Sequence, residues 1–261
     1  MTKLIVTANA PTRIDLAGGT IDLWPIHQLL TYKATVNVAI DLDAQATVSL
    51  SDKADQFELI SDDQNLHKSY KFHQLGEQRD ELYLLALLLR QVWNSSLPAI
   101  QLRTRAKSPA GAGLGGSSCL AVSVLSALYA AREQLGQSRI PNEYELVQTA
   151  QDIEARVIRA PTGVQDYWGG IRGGINAIEF QPGRTRVNTF EASAVPSLEE
   201  SMIVCYSGQS RQSAINNWEV FKRVFDGDQS LIQRLELIGR EAESCAVALK
   251  SGDLSALLEH S

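Results

Sequence analysis

Between Ser108 and Cys119 the chain reads Ser-Pro-Ala-Gly-Ala-Gly-Leu-Gly-Gly-Ser-Ser-Cys, a glycine-rich turn with two adjacent hydroxyls. Four glycines within the six positions Gly111 to Gly116 let the backbone curl until several N–H groups point one way. An apolar-periodic run begins near Leu120, so the turn opens into a helix whose positive end adds to those dipoles. Such a turn seats a phosphate. The bland alternative is a turn that only lets a helix pack closely, and on the motif alone the two readings stand level.

Other charged residues bear on that balance. Arg13 and Asp22 bracket a Gly-Gly turn in Ala10-Pro-Thr-Arg-Ile-Asp-Leu-Ala-Gly-Gly-Thr-Ile-Asp22; taken singly, either is a solvated charge or a cap. A helix is expected from Glu143 to Ile158, after Pro141. With Ala150 at zero on its wheel, Leu146, Val147, Ile153 and Val157 fall within about 60°. Glu154 falls inside that apolar stripe at about 40°. A carboxylate aimed at a core requires a partner, whether a structural ion pair or a metal ion. Asp166 stands in Ala-Pro-Thr-Gly-Val-Gln-Asp-Tyr-Trp-Gly-Gly, a turn-rich segment in which a carboxylate caps or meets solvent.

These residues must be carried by elements. Alternation at Val36, Val38, Ile40 and Leu42, and again at Ile100, Leu102, Thr104 and Ala106, predicts strands. Strands over 3–8, 13–17 and 34–50 come consecutively, followed by helical spacing near 80–93, 118–135 and 142–158, which predicts an α+β fold. A strand pair is expected at Gly174 to Phe180 and Thr185 to Thr189, joined by Gln-Pro-Gly-Arg. Ala192 to Glu200, with Pro196 inside, is the expected domain boundary; a new segment opens at Ser201 to Tyr206 and leads to a helix-rich tail.

Gly111, Gly113 and Gly116 also satisfy G-x-G-x-x-G, the dinucleotide fingerprint. That fingerprint requires a β-α-β unit with an acidic residue about 20 positions on, whereas here a long helix leads through Gly136 to Pro141 into another helix. No Gly-Lys-Ser/Thr follows, which excludes a Walker loop. A nicotinamide-dependent oxidoreductase would rest on the glycine spacing alone.

The 261 residues, 44% hydrophobic and 21% charged, suit a soluble globular protein. A net charge of −6 without a Lys/Arg cluster speaks against nucleic-acid binding. Cys119, Cys205 and Cys245 are odd in number and widely spaced, which predicts neither disulfides nor zinc and fits a reducing cytoplasm. The apolar run Leu82 to Leu89 is too short to span a membrane.

Together, the segments around Arg13, the glycine turn and Asp166 resemble the GHMP kinases, the family of galactokinase, homoserine kinase, mevalonate kinase and phosphomevalonate kinase. Pro109-Ala-Gly-Ala-Gly-Leu-Gly-Gly-Ser117 is similar to the family's phosphate loop, Pro-x-x-x-Gly-Leu-x-Ser-Ser, with Gly116 in place of its first serine. The resemblance implies that Pro109, Gly111, Ala112, Gly113, Leu114, Gly115, Gly116, Ser117 and Ser118 bind ATP, and that Ser117 and Glu154 hold Mg2+. It implies that Asp166 is the catalytic carboxylate with Arg13 beside it, and that Asp22 holds substrate hydroxyls. Ala-Gly-Gly-Thr-Ile-Asp-Leu and Gly-Val-Gln-Asp most resemble the branch of D-glycero-D-manno-heptose 7-phosphate kinases and related sugar 1-kinases. That branch usually reads Gly-Gly-Gly-Thr-Asp and Gln-Asp-Gln, from which Thr20, Ile21 and Tyr167 depart.

The implied fold has two domains, 1–191 with the phosphate loop and 201–261, and the ATP site between them. The family's third glycine-rich motif has no counterpart before Leu257-Leu-Glu-His-Ser261, so the ferredoxin-like C-terminal domain is expected to be incomplete. The implied activity is ATP- and magnesium-dependent phosphoryl transfer to a sugar or sugar phosphate, heptose 7-phosphate-like or galactose-like, at the anomeric hydroxyl. A mevalonate- or phosphomevalonate-type kinase and a non-catalytic sugar or nucleotide sensor on the same fold are the alternatives. No nucleic-acid or membrane partner is expected, and the oligomeric state is left open.

Overall fold

The computed structural model describes residues 4–137, 139–190, 198–209 and 213–260. The chain opens with β1 (Ile5–Ala17) and β2 (Ala34–Leu50), which pair antiparallel along nearly their whole length. The two short strands expected over 3–8 and 13–17 are thus one strand. Its register slips between Ala10 and Thr12, at Pro11, which has no N–H to give to a ladder, and again between Asp15 and Ala17.

A hairpin, β3 (Phe57–Ser61) and β4 (Leu66–Tyr70), precedes α1 (Tyr83–Val92) and β5 (Ile100–Ala106). After the glycine turn come α2 (Gly116–Gln134), α3 (Glu143–Ile158) and α4 (Gln165–Arg172), then the hairpin β6 (Ile175–Gln181) and β7 (Arg184–Phe190). The seven strands form one sheet in the order β4-β3-β5-β2-β6-β7, with β1 along β2. Opposite β1, strand β2 pairs with β5 over Ala44–Leu50 and with β6 over Ala34–Val38. The sheet therefore parts on that side of β2 between the strand that leads into the glycine turn and the strand that follows α4.

The main core joins the strands to α1–α4, with Leu88, Leu125, Leu128, Tyr167 and Trp168 at its centre. Consecutive α2 residues Ala121, Val122, Ser123, Val124 and Leu125 are all buried, as in a helix enclosed on all sides. The C-terminal part adds α5 (Ser213–Phe225), α6 (Gln229–Ser251) and α7 (Leu254–Glu259). Cys245, Ala246, Ala248 and Leu249 of α6 share a smaller core with Leu16, Val36, Ile175 and Ala177 of the strands. Glu236 of α6 accepts from the backbone N–H of Thr31 at 2.8 Å, and Glu243 accepts from that of Lys33 at 3.2 Å.

The mixed α+β class and the hairpin at Gln-Pro-Gly-Arg are as expected, with Gly183 at φ +74 in the turn. The expected boundary at 192–200 lies largely outside the described residues. Ser201 to Tyr206 forms no strand: Met202 to Tyr206 is irregular, and Ile203, Val204 and Tyr206 are exposed. Among the described residues no strand follows β7.

Candidate functional site

The glycine turn owes its shape to two contacts with β1. The backbone N–H of Arg13 donates to the carbonyl of Leu114 at 3.1 Å, and the Arg13 guanidinium donates to the carbonyl of Gly113 at 2.8 Å. With those carbonyls held on the strand side, the turn closes onto α2 through Gly115, its N-cap, at φ +71. A Cβ at 115 would lie 2.9 Å from Cγ of Asp166, so the position demands glycine both for its backbone and for its neighbour. The first N–H groups of α2 have no partner within the helix and carry its positive end.

Asp166 sits in the first turn of α4. The segment that ends in Gly169 and Gly170 was expected to be turn-rich, and from Gln165 to Arg172 it is helical. The glycines instead allow close packing: a Cβ at Gly169 would meet the side chain of Arg13 at 3.2 Å, and one at Gly170 would meet the Sγ of Cys119 at 3.4 Å. That proximity lets Nε of Arg13 donate to Oδ1 of Asp166 at 2.6 Å, with a second guanidinium nitrogen on the same oxygen. Burial works against the charge on Arg13, but the carboxylates of Asp166, Asp15 and Asp22 more than offset it, and its pKa is raised.

Buried amides hold α4 in place. Nδ2 of Asn37 donates to the carbonyl of Gln165 at 3.0 Å, and Nδ2 of Asn176 donates to the carbonyl of Gly173 at 3.0 Å and to Oδ1 of Asn37 at 3.1 Å. Asp22 is buried and accepts from the backbone N–H of Gln165 at 3.0 Å, a carboxylate at a helix N-terminus. A Cβ at Gly163 would collide with it at 1.9 Å. Burial pushes the Asp22 carboxyl up to about 7; the Gln165 N–H opposes this, and nearby Asp166 and Asp15 add to it.

Glu154 lies on α3 and faces inward, as the wheel predicts; only 6% of the residue is exposed. A capping box fixes the start of that helix: Asn142 Oδ1 accepts from the N–H of Glu145, and Glu145 accepts from the N–H of Asn142. The ion-pair reading of Glu154 does not hold among the described residues. Its Oε2 accepts from the hydroxyl of Ser118 at 2.7 Å and from that of Tyr167 at 2.6 Å. Burial raises its pKa, while hydrogen bonds from Tyr167, Ser117 and Ser118 pull the other way.

Arg13, Asp22, Glu154 and Asp166 open onto one cleft of about 1120 Å³. Its wall includes every turn residue from Ser108 to Ser118 together with Arg13, Asp22, Glu154 and Asp166, so the residues singled out in the sequence converge. Among the described residues of α5 to α7, Asn217 of α5 alone lines it. The sequence reading gave no role to Asp15 or Gln165 and named Tyr167 only as a departure from the pattern it resembles. Nε2 of Gln165 lies 3.4 Å from Oδ2 of Asp15, which lines the cleft beside Asp22. The one signal was adjacency, since Gln165 and Tyr167 flank Asp166. Cys119, Cys205 and Cys245 are free thiols, as expected. Among the described residues no helix is long and apolar enough to cross a membrane.

Residues 81–174 match the family model of the GHMP kinases N terminal domain. The chain is 25% identical over 269 residues to a D-glycero-alpha-D-manno-heptose 7-phosphate kinase of Campylobacter jejuni, an alignment covering 97% of this chain and 74% of that protein. Among solved structures it superposes on a D-glycero-D-manno-heptose 1-phosphate kinase of Bacteroides thetaiotaomicron with a TM-score of 0.75 and 26% identity, over 98% of this chain and 76% of the other. The galactokinase of Lactococcus lactis, 15% identical over 98% of this chain and 72% of its own, shares the fold with a TM-score of 0.64.

Proposed function

We propose that this chain, whose residues 81–174 match the family model of the GHMP kinases N terminal domain, transfers the γ-phosphoryl group of ATP, with magnesium, to the anomeric hydroxyl of a sugar phosphate, heptose 7-phosphate-like, or of a galactose-like sugar. One observation carries the reading furthest. Arg13 bonds both Asp166 and the carbonyl of Gly113, so the candidate base and the phosphate loop share one anchor.

Phosphoryl transfer asks a protein mainly for positioning and for stabilisation of charge. The turn from Pro109 to Ser118 offers N–H groups at the start of α2 to the phosphates of ATP. Asp166 accepts the proton of the attacking hydroxyl, and Arg13 orients that carboxylate and offsets negative charge at the reacting centre. Asp22, with Asp15 beside it, presents acceptors to the hydroxyls of a polyol.

Among the described residues no group of three or more His, Cys, Asp or Glu side chains is arranged to hold a metal alone. Magnesium bound through one or two carboxylates and substrate phosphates asks for less, and buried Glu154 with Ser117 fits that demand. When bound, the ion neutralises charge on the outer phosphates.

ADP release measured across heptose 7-phosphate, other sugar phosphates, galactose and mevalonate tests the assignment. The expected result is fastest turnover on a heptose phosphate. Preference for mevalonate would move the chain to the mevalonate-type alternative, and ATP binding without ADP release on any acceptor would leave the sensor.

A further inference from the structure

Tyr167 departs from the pattern this segment resembles, and its position gives the departure a consequence. Its ring is fully buried beneath the cleft, and its hydroxyl reaches Oε2 of Glu154 at 2.6 Å. Ser118, itself 4% exposed, donates to the same oxygen at 2.7 Å. The three groups come from α4, α3 and α2, so one carboxylate oxygen is fixed from two sides by buried hydroxyls. A carboxylate oxygen accepts about two hydrogen bonds through its lone pairs, and Oε2 has both. Ser117, which lines the cleft with Glu154, is the hydroxyl proposed to ligate beside this carboxylate.

We propose that Tyr167 is a positioning residue that, with Ser118, occupies Oε2 of Glu154 and leaves Oε1 as the single oxygen offered to a divalent cation. This rests on the magnesium reading above. Its consequence is selectivity. Mg2+ is small, keeps near-ideal octahedral geometry and accepts one oxygen per carboxylate, whereas Ca2+ takes bidentate carboxylates in a larger, more flexible shell. A Glu154 confined to one oxygen favours the first ion. Removal of the Tyr167 hydroxyl frees Oε2 and admits the second.

The test is equilibrium binding of Mg2+ and of Ca2+ to the full chain with ADP present, by calorimetry, for the unmodified protein and for Tyr167→Phe. Phenylalanine keeps the buried ring and removes only the hydroxyl. Since a hydrogen bond to a charged group is worth about tenfold or more in an equilibrium, the Mg2+:Ca2+ affinity ratio is expected to fall by about that factor. An unchanged ratio in a folded variant overturns the inference and leaves the magnesium reading standing. No divalent binding by the unmodified protein with ADP overturns both. If Tyr167→Phe does not fold, Ser118→Ala removes the other donor to the same oxygen and decides by the same ratio.

Discussion

Arg13 and Asp166 are separated by 153 positions, yet a 2.6 Å hydrogen bond joins them. Asp166→Asn is expected to keep ATP binding and to lower turnover by about 10²- to 10⁴-fold, the scale of a lost general base. Steady-state ADP release beside a nucleotide titration checks this, and near-normal turnover removes Asp166 from the proposed role. Asp22 makes a prediction in pH. Its folded pKa of about 7 lies above the ordinary 3.8, so the folded chain holds this proton more tightly than the unfolded one. The contribution of Asp22 to stability therefore falls as pH rises from about 4 to about 7 and is level above that. Asp22→Asn is expected to flatten that part of the profile in melting temperature against pH. Because an ionised Asp22 is the better acceptor, KM for the sugar is also expected to fall as pH rises through about 7.

The residues that bear charge or tolerate unusual backbone were legible in the sequence, because glycine spacing and an inward-facing carboxylate leave marks in residue type. Tyr167, Gln165 and Asp15 were not. Nothing in a tyrosine's or glutamine's identity says which buried carboxylate it will reach, since that depends on where α4 lies over α3 and β1.

At the scale of elements, α4 shows how packing overrides local signals. Gly169 and Gly170 read as a turn, but their missing side chains admit Arg13 and Cys119, and the helix continues through them. By contrast, α2 and α3 appear within two residues of their expected bounds, because long periodic runs and an Asn142–Glu145 capping box mark them locally. The β3–β4 hairpin was not foreseen, as five-residue strands carry too few alternations to stand out. Two variants probe the elements that carry the site. Asn37→Ala leaves the carbonyl of Gln165 and the amide of Asn176 short of partners in a buried setting and is expected to cost about 1–3 kcal/mol per unsatisfied group in denaturant unfolding, with reduced turnover. Gly115→Ala forces a side chain into the left-handed region at about 1–2 kcal/mol and against Asp166. Weakened ATP binding in a titration, with the fold retained by circular dichroism, is its expected signature.

Over the whole molecule, α6 is the element that packs against β1, β2 and β6 in the smaller core, and among the described residues no second sheet does so. We propose the division into 1–191 and 201–261 as one of sequence and not of packing, since α6 shares a core with β1, β2 and β6. Gly239 marks a close approach: a Cβ there would lie 2.5 Å from the carbonyl oxygen of Tyr32, a backbone atom with little room to yield. Gly239→Ala is expected to lower the melting temperature through overpacking of about 1–3 kcal/mol. Among the described residues no residue of α6 lines the cleft, so the same variant is expected to leave nucleotide affinity nearly unchanged. The overall class was legible from the order of strands and helices. The docking of α6 was not, because its small residues specify close contact without naming the surface they meet.

The most direct test of the central claim follows the phosphoryl group itself. Phosphorus NMR of ATP, magnesium and a heptose 7-phosphate with the full chain is predicted to show the γ-phosphate signal replaced by ADP and a new anomeric phosphate, with Asp166→Asn slowing the change by orders of magnitude. An unchanged γ-phosphate, or the same rate in the variant, would contradict the account.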